Sequence, residues 1–258
     1  MSKLIDKLNQ VSSAIPQPMG FRTMPSVSPQ PKMLLIASLA PTNVENVADY
    51  VAGADAGVLY ISDLGKGVRT VQKVGQVVSG IPWGMWLRDI GQGEVKQVAK
   101  AGYDFVVFPA ANTSLAILQD DEAGKILQVE ASLGEGLLRA VNELPVNAVL
   151  IAGEQGEGSF LTWHHLMLFQ RFANLLTKPL LVCVPSKVSA NELQALWEAG
   201  VSGVVVEVGV GQPVPRLNEL RQAIDKLTFP ALRKRERVKA LLPYISGETA
   251  AVTEEEEE

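Results

Sequence analysis

The chain has 258 residues, of which 47% are hydrophobic and 20% are charged. This composition excludes a disordered or fibrous chain and predicts one large domain with a sizeable core. The formal net charge is −5, and residues 254–258 are five glutamates, so the rest of the chain is neutral, which argues against a surface for duplex nucleic acid.

The N-terminal segment, residues 1–32, is predicted to contain a helix and a proline-rich lead-in. Residues 4–11 have the apolar spacing of an amphipathic helix. Prolines at positions 16, 18, 25, 29 and 31 favour an extended connection after it. No apolar run approaches the roughly 20 residues that span a bilayer, and we recognise no secretory signal. Together with a single cysteine, Cys183, these features predict a cytoplasmic protein.

Eight apolar runs bounded by turn residues are predicted as strands. Several of them, such as residues 148–152 and 203–206, are apolar without alternation, which is typical of parallel strands covered on both faces. The predicted strands are residues 33–39, 57–61, 83–87, 104–108, 126–131, 148–152, 180–184 and 203–208.

Segments with helical spacing follow these strands, one after each. The predicted helices are residues 44–52, 68–78, 94–100, 114–122, 135–142, 163–176, 190–198 and 216–227. Ser189 and Glu192 fit a capping box at the start of one helix. Gly102 and Gly200 follow helices directly and suit the left-handed conformation of a helix C-terminus.

Strict alternation of strand and helix predicts a parallel sheet with right-handed crossovers, and eight repeats predict a closed (β/α)8 barrel over residues 33–228. The N-terminal helix is then expected to plug the bottom of the barrel. The alternative is an open, doubly wound sheet, which usually has a glycine-rich turn after its first strand when it binds dinucleotides. Here that turn reads APTN, residues 40–43, which favours the barrel.

Residues 229–258 are predicted to form a basic helix and a disordered acidic tail. Residues 231–242 contain five lysines and arginines against one glutamate, which is typical of a solvated terminal helix. The alternative is that the basic residues of this helix form a binding surface for a partner. The glutamate run that follows is expected to be disordered.

A recurring pattern places an acid before two spaced glycines after four predicted strands. The four acids, which are Asp63, Asp89, Glu154 and Glu207, would stand at the C-terminal face of the barrel, where the active sites of this fold lie. They are candidate acid-base groups or ligands of a divalent metal ion. A second interpretation is that the glycines supply a positive φ that the turns require.

Other candidate site residues are cations and a histidine near the same face. Arg88 follows strand 3 and Lys187 follows strand 7, so either could contact an anionic ligand, although exposed loop cations are common. His164 and His165 begin helix 6, and one of them could act in acid-base chemistry; packing or surface exposure is the default interpretation. Ser38 ends strand 1 and could orient a substrate or cap a helix.

One junction carries a resemblance to a known group of folds. Residues 196–206 read LWEAGVSGVVV, which resembles the helix-to-strand junctions of phosphate-binding and FMN-linked TIM barrels. The resemblance implies the barrel fold and a phosphate site formed by glycine-rich loops after strands 7 and 8. Gly209 and Gly211 follow strand 8, but residues 185–188 after strand 7 read PSKV, without glycine, so FMN is disfavoured.

Two functions remain open from the sequence. The first is an enzyme that acts on a small anionic metabolite at the C-terminal face, by lyase or isomerase type acid-base chemistry. The second is a barrel without catalysis that serves as a binding or assembly module through the basic helix and the acidic tail. A homo-oligomer is open under either function. The sequence names no substrate and no cofactor.

Overall fold

The computed structural model describes residues 2–13, 31–40, 47–61, 64–88, 102–119, 122–152, 160–209 and 216–228. Eight parallel strands pair in chain order, and the eighth closes against the first, which confirms the predicted barrel. The strands are β1 Leu34–Leu39, β2 Ala56–Ile61, β3 Trp83–Leu87, β4 Phe105–Pro109, β5 Gly124–Val129, β6 Ala148–Ile151, β7 Leu180–Val184 and β8 Gly203–Val208.

Helices lie before the barrel and between its strands. They are α1 Lys3–Ser13, α2 Val47–Tyr50, α3 Leu64–Val77, a 3-10 helix Leu115–Gln119, α4 Glu135–Val141, α5 Trp163–Leu175, α6 Ala190–Glu198 and α7 Arg216–Asp225. The predicted helix at 94–100 lies outside the described residues. No helix in the described part of the chain is long and apolar enough to cross a membrane.

Several predicted elements differ from the structure in their bounds: α3, for example, begins at Leu64 rather than at residue 68. The predicted strand at 126–131 is shifted, because the observed strand begins two residues earlier, at Gly124, which pairs with Phe105 of β4. A Cβ on Gly124 would lie 2.5 Å from Cγ1 of Ile5 in α1, so the glycine serves close packing rather than a turn. The predicted helix at 114–122 is a shorter 3-10 helix.

Local signals at both ends of α6 are confirmed, and Gly102 has the backbone conformation predicted for it. The hydroxyl of Ser189 accepts a hydrogen bond from the Glu192 backbone N–H, and the Glu192 carboxylate accepts one from the Ser189 N–H. This capping box satisfies donors that the first turn of α6 leaves free. Gly102 and Gly200 have φ values of 69° and 95°, the left-handed conformation expected of them.

The positive-φ interpretation of the acid-glycine loops is wrong for the loop glycines that can be checked. Gly67 lies within α3. Gly134, in the similar segment SLGEG at residues 132–136 where serine replaces the acid, is the N-cap residue of α4 and has a φ of −68°. Gly67 is required for another reason: a Cβ there would overlap the side chain of Ile61. These glycines therefore begin helices or allow close packing, and the turns need no left-handed residue at these positions.

Alternation along the strands divides the core into two clusters. Outward residues such as Leu35, Leu59 and Val206 pack against the helices. Inward residues such as Ile36, Val58 and Val205 fill the barrel. Both faces of each strand are therefore buried, which explains why the strand sequences are apolar without alternation.

The N-terminal helix closes one end of the barrel, as predicted. Leu4 and Leu8 of α1 are fully buried within the inward cluster. The carboxylate of Asp104 accepts hydrogen bonds from the Ser2 hydroxyl, the Lys3 N–H and the Leu4 N–H, at 2.7 to 2.9 Å. Asp104 thus satisfies amide donors at the start of α1 and holds the helix beneath the strands.

Candidate functional site

The C-terminal end of the barrel carries polar side chains on an otherwise apolar interior. On each strand, the last inward position follows from its alternation with residues of the outward and inward clusters. Five of these positions are polar, and we call them the polar layer: Ser38 of β1, Tyr60 of β2, Arg88 directly after β3, Gln128 of β5 and Glu207 of β8. The corresponding residues of β4, β6 and β7 are Pro109, Ala152 and Pro185, which have no hydrogen-bonding side chain.

Two members of the polar layer, Tyr60 and Gln128, are joined through Trp86, which pairs in register with Tyr60. The indole N–H of Trp86 donates a hydrogen bond to Oε1 of Gln128 at 2.7 Å. The ring of Tyr60 meets the Trp86 ring edge to face, with centroids 5.9 Å apart and an interplanar angle of 68°. Because Trp86 is buried, these contacts fix Tyr60 and Gln128 relative to each other.

Glu207 is the one predicted acid of the four that falls within the described residues. It is exposed, although Val206 and Val208 on either side of it are buried in the outward cluster. Glu207 pairs in register with Ser38 of the neighbouring strand, whose side chain is buried. A carboxylate and a hydroxyl are therefore adjacent at the open end of the barrel, on the β8–β1 side.

Three predicted site residues lie outside the described part of the chain: Asp63, Asp89 and Glu154. Gly211 does so as well, whereas Gly209 directly follows β8 and is partly buried. Among the described residues, no three histidine, cysteine, aspartate or glutamate side chains could hold a metal ion together. Because most of the predicted metal ligands are not described, a divalent metal site remains a prediction.

Arg88 and Lys187 are both exposed at the C-terminal face. Arg88 directly follows β3, two residues after the inward Trp86. Lys187 lies in the loop after β7, and this loop is held by Arg216, the first residue of α7. The Arg216 guanidinium donates to the carbonyl oxygens of Ser186 and Val188, both at 2.6 Å. The two carbonyls flanking Lys187 are thus fixed by one side chain.

Replacing Arg216 by lysine should loosen this loop, because a lysine cannot donate to both carbonyls in the same geometry. A hydrogen bond from a charged donor contributes about 1.5–3 kcal/mol, so local opening should rise by roughly tenfold or more. Tryptic cleavage after Lys187, followed by mass spectrometry, measures the change. Glu219→Gln is the matched control, because it removes the ion pair between Arg216 and Glu219 and leaves both hydrogen bonds from Arg216 to the loop. An unchanged cleavage rate in Arg216→Lys would contradict the role of Arg216 in holding this loop.

The two histidines have different environments at the start of α5. His165 completes a capping box: its Nδ1 accepts from the Thr162 N–H at 3.1 Å, and its own N–H donates to the Thr162 hydroxyl. Its ring also stacks on Phe169. His164 is exposed on the first turn of the same helix. His165 is therefore occupied by the helix start, while an acid-base role for His164 remains a prediction.

Sequence reasoning missed Tyr60, Trp86 and Gln128. Gln128 carried a usable signal, since it is a polar residue within an apolar strand. Trp86 and Tyr60 look like ordinary core residues until the register shows which strand face lines the barrel. Cys183 is buried in the inward cluster.

The C-terminal segment lies outside the described residues. The chain divides into two units, residues 1–228 and 229–258. The predicted basic helix, the acidic tail and the assembly function that depends on them therefore stay predictions.

No known family and no curated protein matches the sequence. Solved structures do match in fold. Two variants of the tryptophan synthase alpha-subunit from the hyperthermophile Pyrococcus furiosus align with TM-scores of 0.57 and 0.58 at 13% and 12% identity, over 75% of this chain and 97% of theirs. A cube-shaped, highly porous protein cage designed by fusing symmetric oligomeric domains aligns with a TM-score of 0.56 at 15% identity, over 76% of this chain and 72% of its own. These likenesses show that the chain has the TIM-barrel fold, and they show the fold alone.

Proposed function

We propose that the protein is an enzyme that acts on a small anionic metabolite at the C-terminal face, by acid-base chemistry of the lyase or isomerase kind. The observation that carries the proposal is the polar layer. Inward residues are apolar along most of the barrel, and α1 closes its N-terminal end, whereas the polar layer lies at the opposite, open end. Polar side chains at inward positions are costly unless they meet water or a ligand. Within this layer, Glu207 provides an exposed carboxylate.

The residues of the site take distinct roles in this proposal. Glu207 is the general base, which removes a proton from a carbon next to a substrate carbonyl. While it is on Glu207 the proton can exchange with solvent, and a proton is then delivered to a neighbouring carbon in an isomerase, or a bond to a leaving group breaks in a lyase. Arg88 and Lys187 neutralise the negative charge of the substrate. TIM-barrel enzymes place their active sites at this face, which supports the location.

The predicted residues outside the described ranges would complete the site. Asp63, Asp89 and Glu154 would serve as further acid-base groups or would hold a divalent metal ion, which would polarise the carbonyl. Gly209 and Gly211 would provide backbone N–H groups for a phosphate, and His164 would be a second proton donor. Fold alone does not imply function, so each of these roles requires its own test.

Hydrogen-deuterium exchange at carbon tests the proposal without knowledge of the product. The protein is incubated in D2O with short phosphorylated sugars and with short keto acids, both aliphatic and aromatic, and mass spectrometry detects deuterium next to the carbonyl. We expect exchange with one member of this set, and Glu207→Gln should slow it by about 10²–10⁴-fold, the contribution typical of a general base.

Two controls make this result specific. Glu143→Gln removes an exposed carboxylate from the segment between α4 and β6, at the other end of the barrel, and should leave exchange unchanged. Arg88→Gln and Lys187→Gln should raise the substrate concentration needed for half-maximal exchange. If none of the compounds exchanges, or if Glu207→Gln exchanges at the wild-type rate, the proposed function is wrong.

A further inference from the structure

The hydrogen bond between Trp86 and Gln128 determines which way the Gln128 amide faces. An indole nitrogen is a donor only, so the atom of Gln128 that lies 2.7 Å from it must be the carbonyl oxygen, Oε1. The amide nitrogen, Nε2, then faces away from Trp86 with two N–H donors. In the part of the chain that the structure describes, no acceptor bonds to these donors.

The neighbouring inward positions do not supply an acceptor side chain. Pro109 of β4 pairs in register with Gln128, and Ala152 directly follows β6, the strand on the other side of β5. Neither has a polar side-chain atom. Gln128 itself is only partly buried, so its amide is accessible from the open end of the barrel. The amide is therefore oriented to donate to a group that enters from outside.

Tyr60 presents an aromatic surface beside this donor. Its side chain points inward, yet 40% of the residue is exposed, in contrast to the buried Val58 two positions earlier. The edge-to-face contact with Trp86 holds the ring in place, and Trp86 is held in turn by Gln128. Exposing an aromatic ring costs free energy in proportion to its area, and a ligand that covers the ring recovers it. A fixed ring also loses little conformational entropy on binding.

We infer that the ligand of this site is a flat, conjugated molecule whose ring lies on Tyr60 and whose carbonyl or carboxylate oxygen accepts a hydrogen bond from Gln128. The inference rests on the proposed function for the location of the site, and it adds the class of ligand. Gln128 and Tyr60 are then specificity residues: they select shape and an acceptor atom, while the cations at the rim select negative charge.

A neutral probe separates this inference from the anion contacts. Acetophenone is flat, has one carbonyl acceptor and no donor, and carries no charge that Arg88 or Lys187 could attract. Cyclohexyl methyl ketone keeps the carbonyl but replaces the flat ring with a puckered one. In saturation-transfer NMR titrations of the full chain, we expect acetophenone to bind at least about fivefold more tightly than the saturated ketone.

Three variants identify the contacts. Gln128→Glu keeps an acceptor for the Trp86 N–H and removes both free donors, so acetophenone should bind about tenfold more weakly. Tyr60→Leu should weaken binding about fivefold, whereas Tyr60→Phe keeps the ring and should stay within about twofold of the wild type. Thermal melts followed by circular dichroism establish that each variant is folded.

The outcomes distinguish the inference from the proposed function. Absence of acetophenone binding to the wild type, equal binding of the two ketones, or unchanged binding in Gln128→Glu overturns the inference. Loss of deuterium exchange in Glu207→Gln would still support the proposed function in each of these cases. Conversely, ketone selectivity that depends on Gln128 and Tyr60, without any exchange activity, would support a binding site and overturn the catalytic role.

Discussion

Replacing Phe105 by alanine should lower the free energy of unfolding by about 3–5 kcal/mol, the range for a buried phenylalanine whose removal leaves a cavity. Phe105 is only 1% exposed and points into the barrel from the first position of β4. It lies opposite Gly84 of β3 in register, and a Cβ on Gly84 would overlap the Phe105 ring. The ring thus occupies the space that the glycine leaves free. Urea unfolding followed by circular dichroism measures the loss.

A double-mutant cycle tests whether Gly84 and Phe105 form one packing unit. Gly84→Ala alone should destabilise the barrel by about 1–3 kcal/mol through overpacking. Combined with Phe105→Leu, which vacates part of the same space, its cost should fall well below the sum of the two single effects. Additive losses would show that the two positions are independent. Gly57 and Trp83 form a similar pair on the outward side and offer a second cycle.

The architecture could be predicted because parallel strands in a barrel are buried on both faces and therefore appear as apolar runs. The bounds of β3, β7 and β8 match their predictions at both ends. β5 was misplaced because its first residues, Gly124 and Lys125, look like a turn. Their place in the strand depends on α1 and β4, which contact them from distant parts of the chain.

The site was harder to predict because it, too, depends on contacts between distant parts of the chain. In an apolar run without alternation, the sequence does not indicate which residues face the barrel interior. Gln128 and Tyr60 could be recognised as neighbours only when the register placed both beside Trp86. Pattern reasoning selected acids followed by glycines instead, and three of those four acids lie outside the described residues.

Acids at the opposite end of the barrel have a structural role. Asp55 and Asp104 precede β2 and β4 within the helix-to-strand junctions. Asp55 accepts from the Leu35 N–H and pairs with Arg221, both at 2.8 Å. Asp104 anchors α1. Residues at the N-terminal face of a TIM barrel generally serve stability, and these two acids agree with that division.

Leu8→Ala should destabilise the protein by about 2–5 kcal/mol, because α1 contributes to the interior of the barrel rather than to its surface. Leu8 is fully buried among inward residues of the strands. Gln10→Ala is the matched control on the same helix: its side chain is exposed, so the substitution should change stability by less than about 0.5 kcal/mol. Urea unfolding of both variants makes the comparison. Small and equal losses of stability in the two variants would mean that α1 does not stabilise the barrel. The N-terminal end of the barrel could then admit ligands as well. A large effect of Leu8→Ala alone would establish α1 as a structural plug, which leaves the end with Glu207, Tyr60 and Gln128 as the entrance for a ligand.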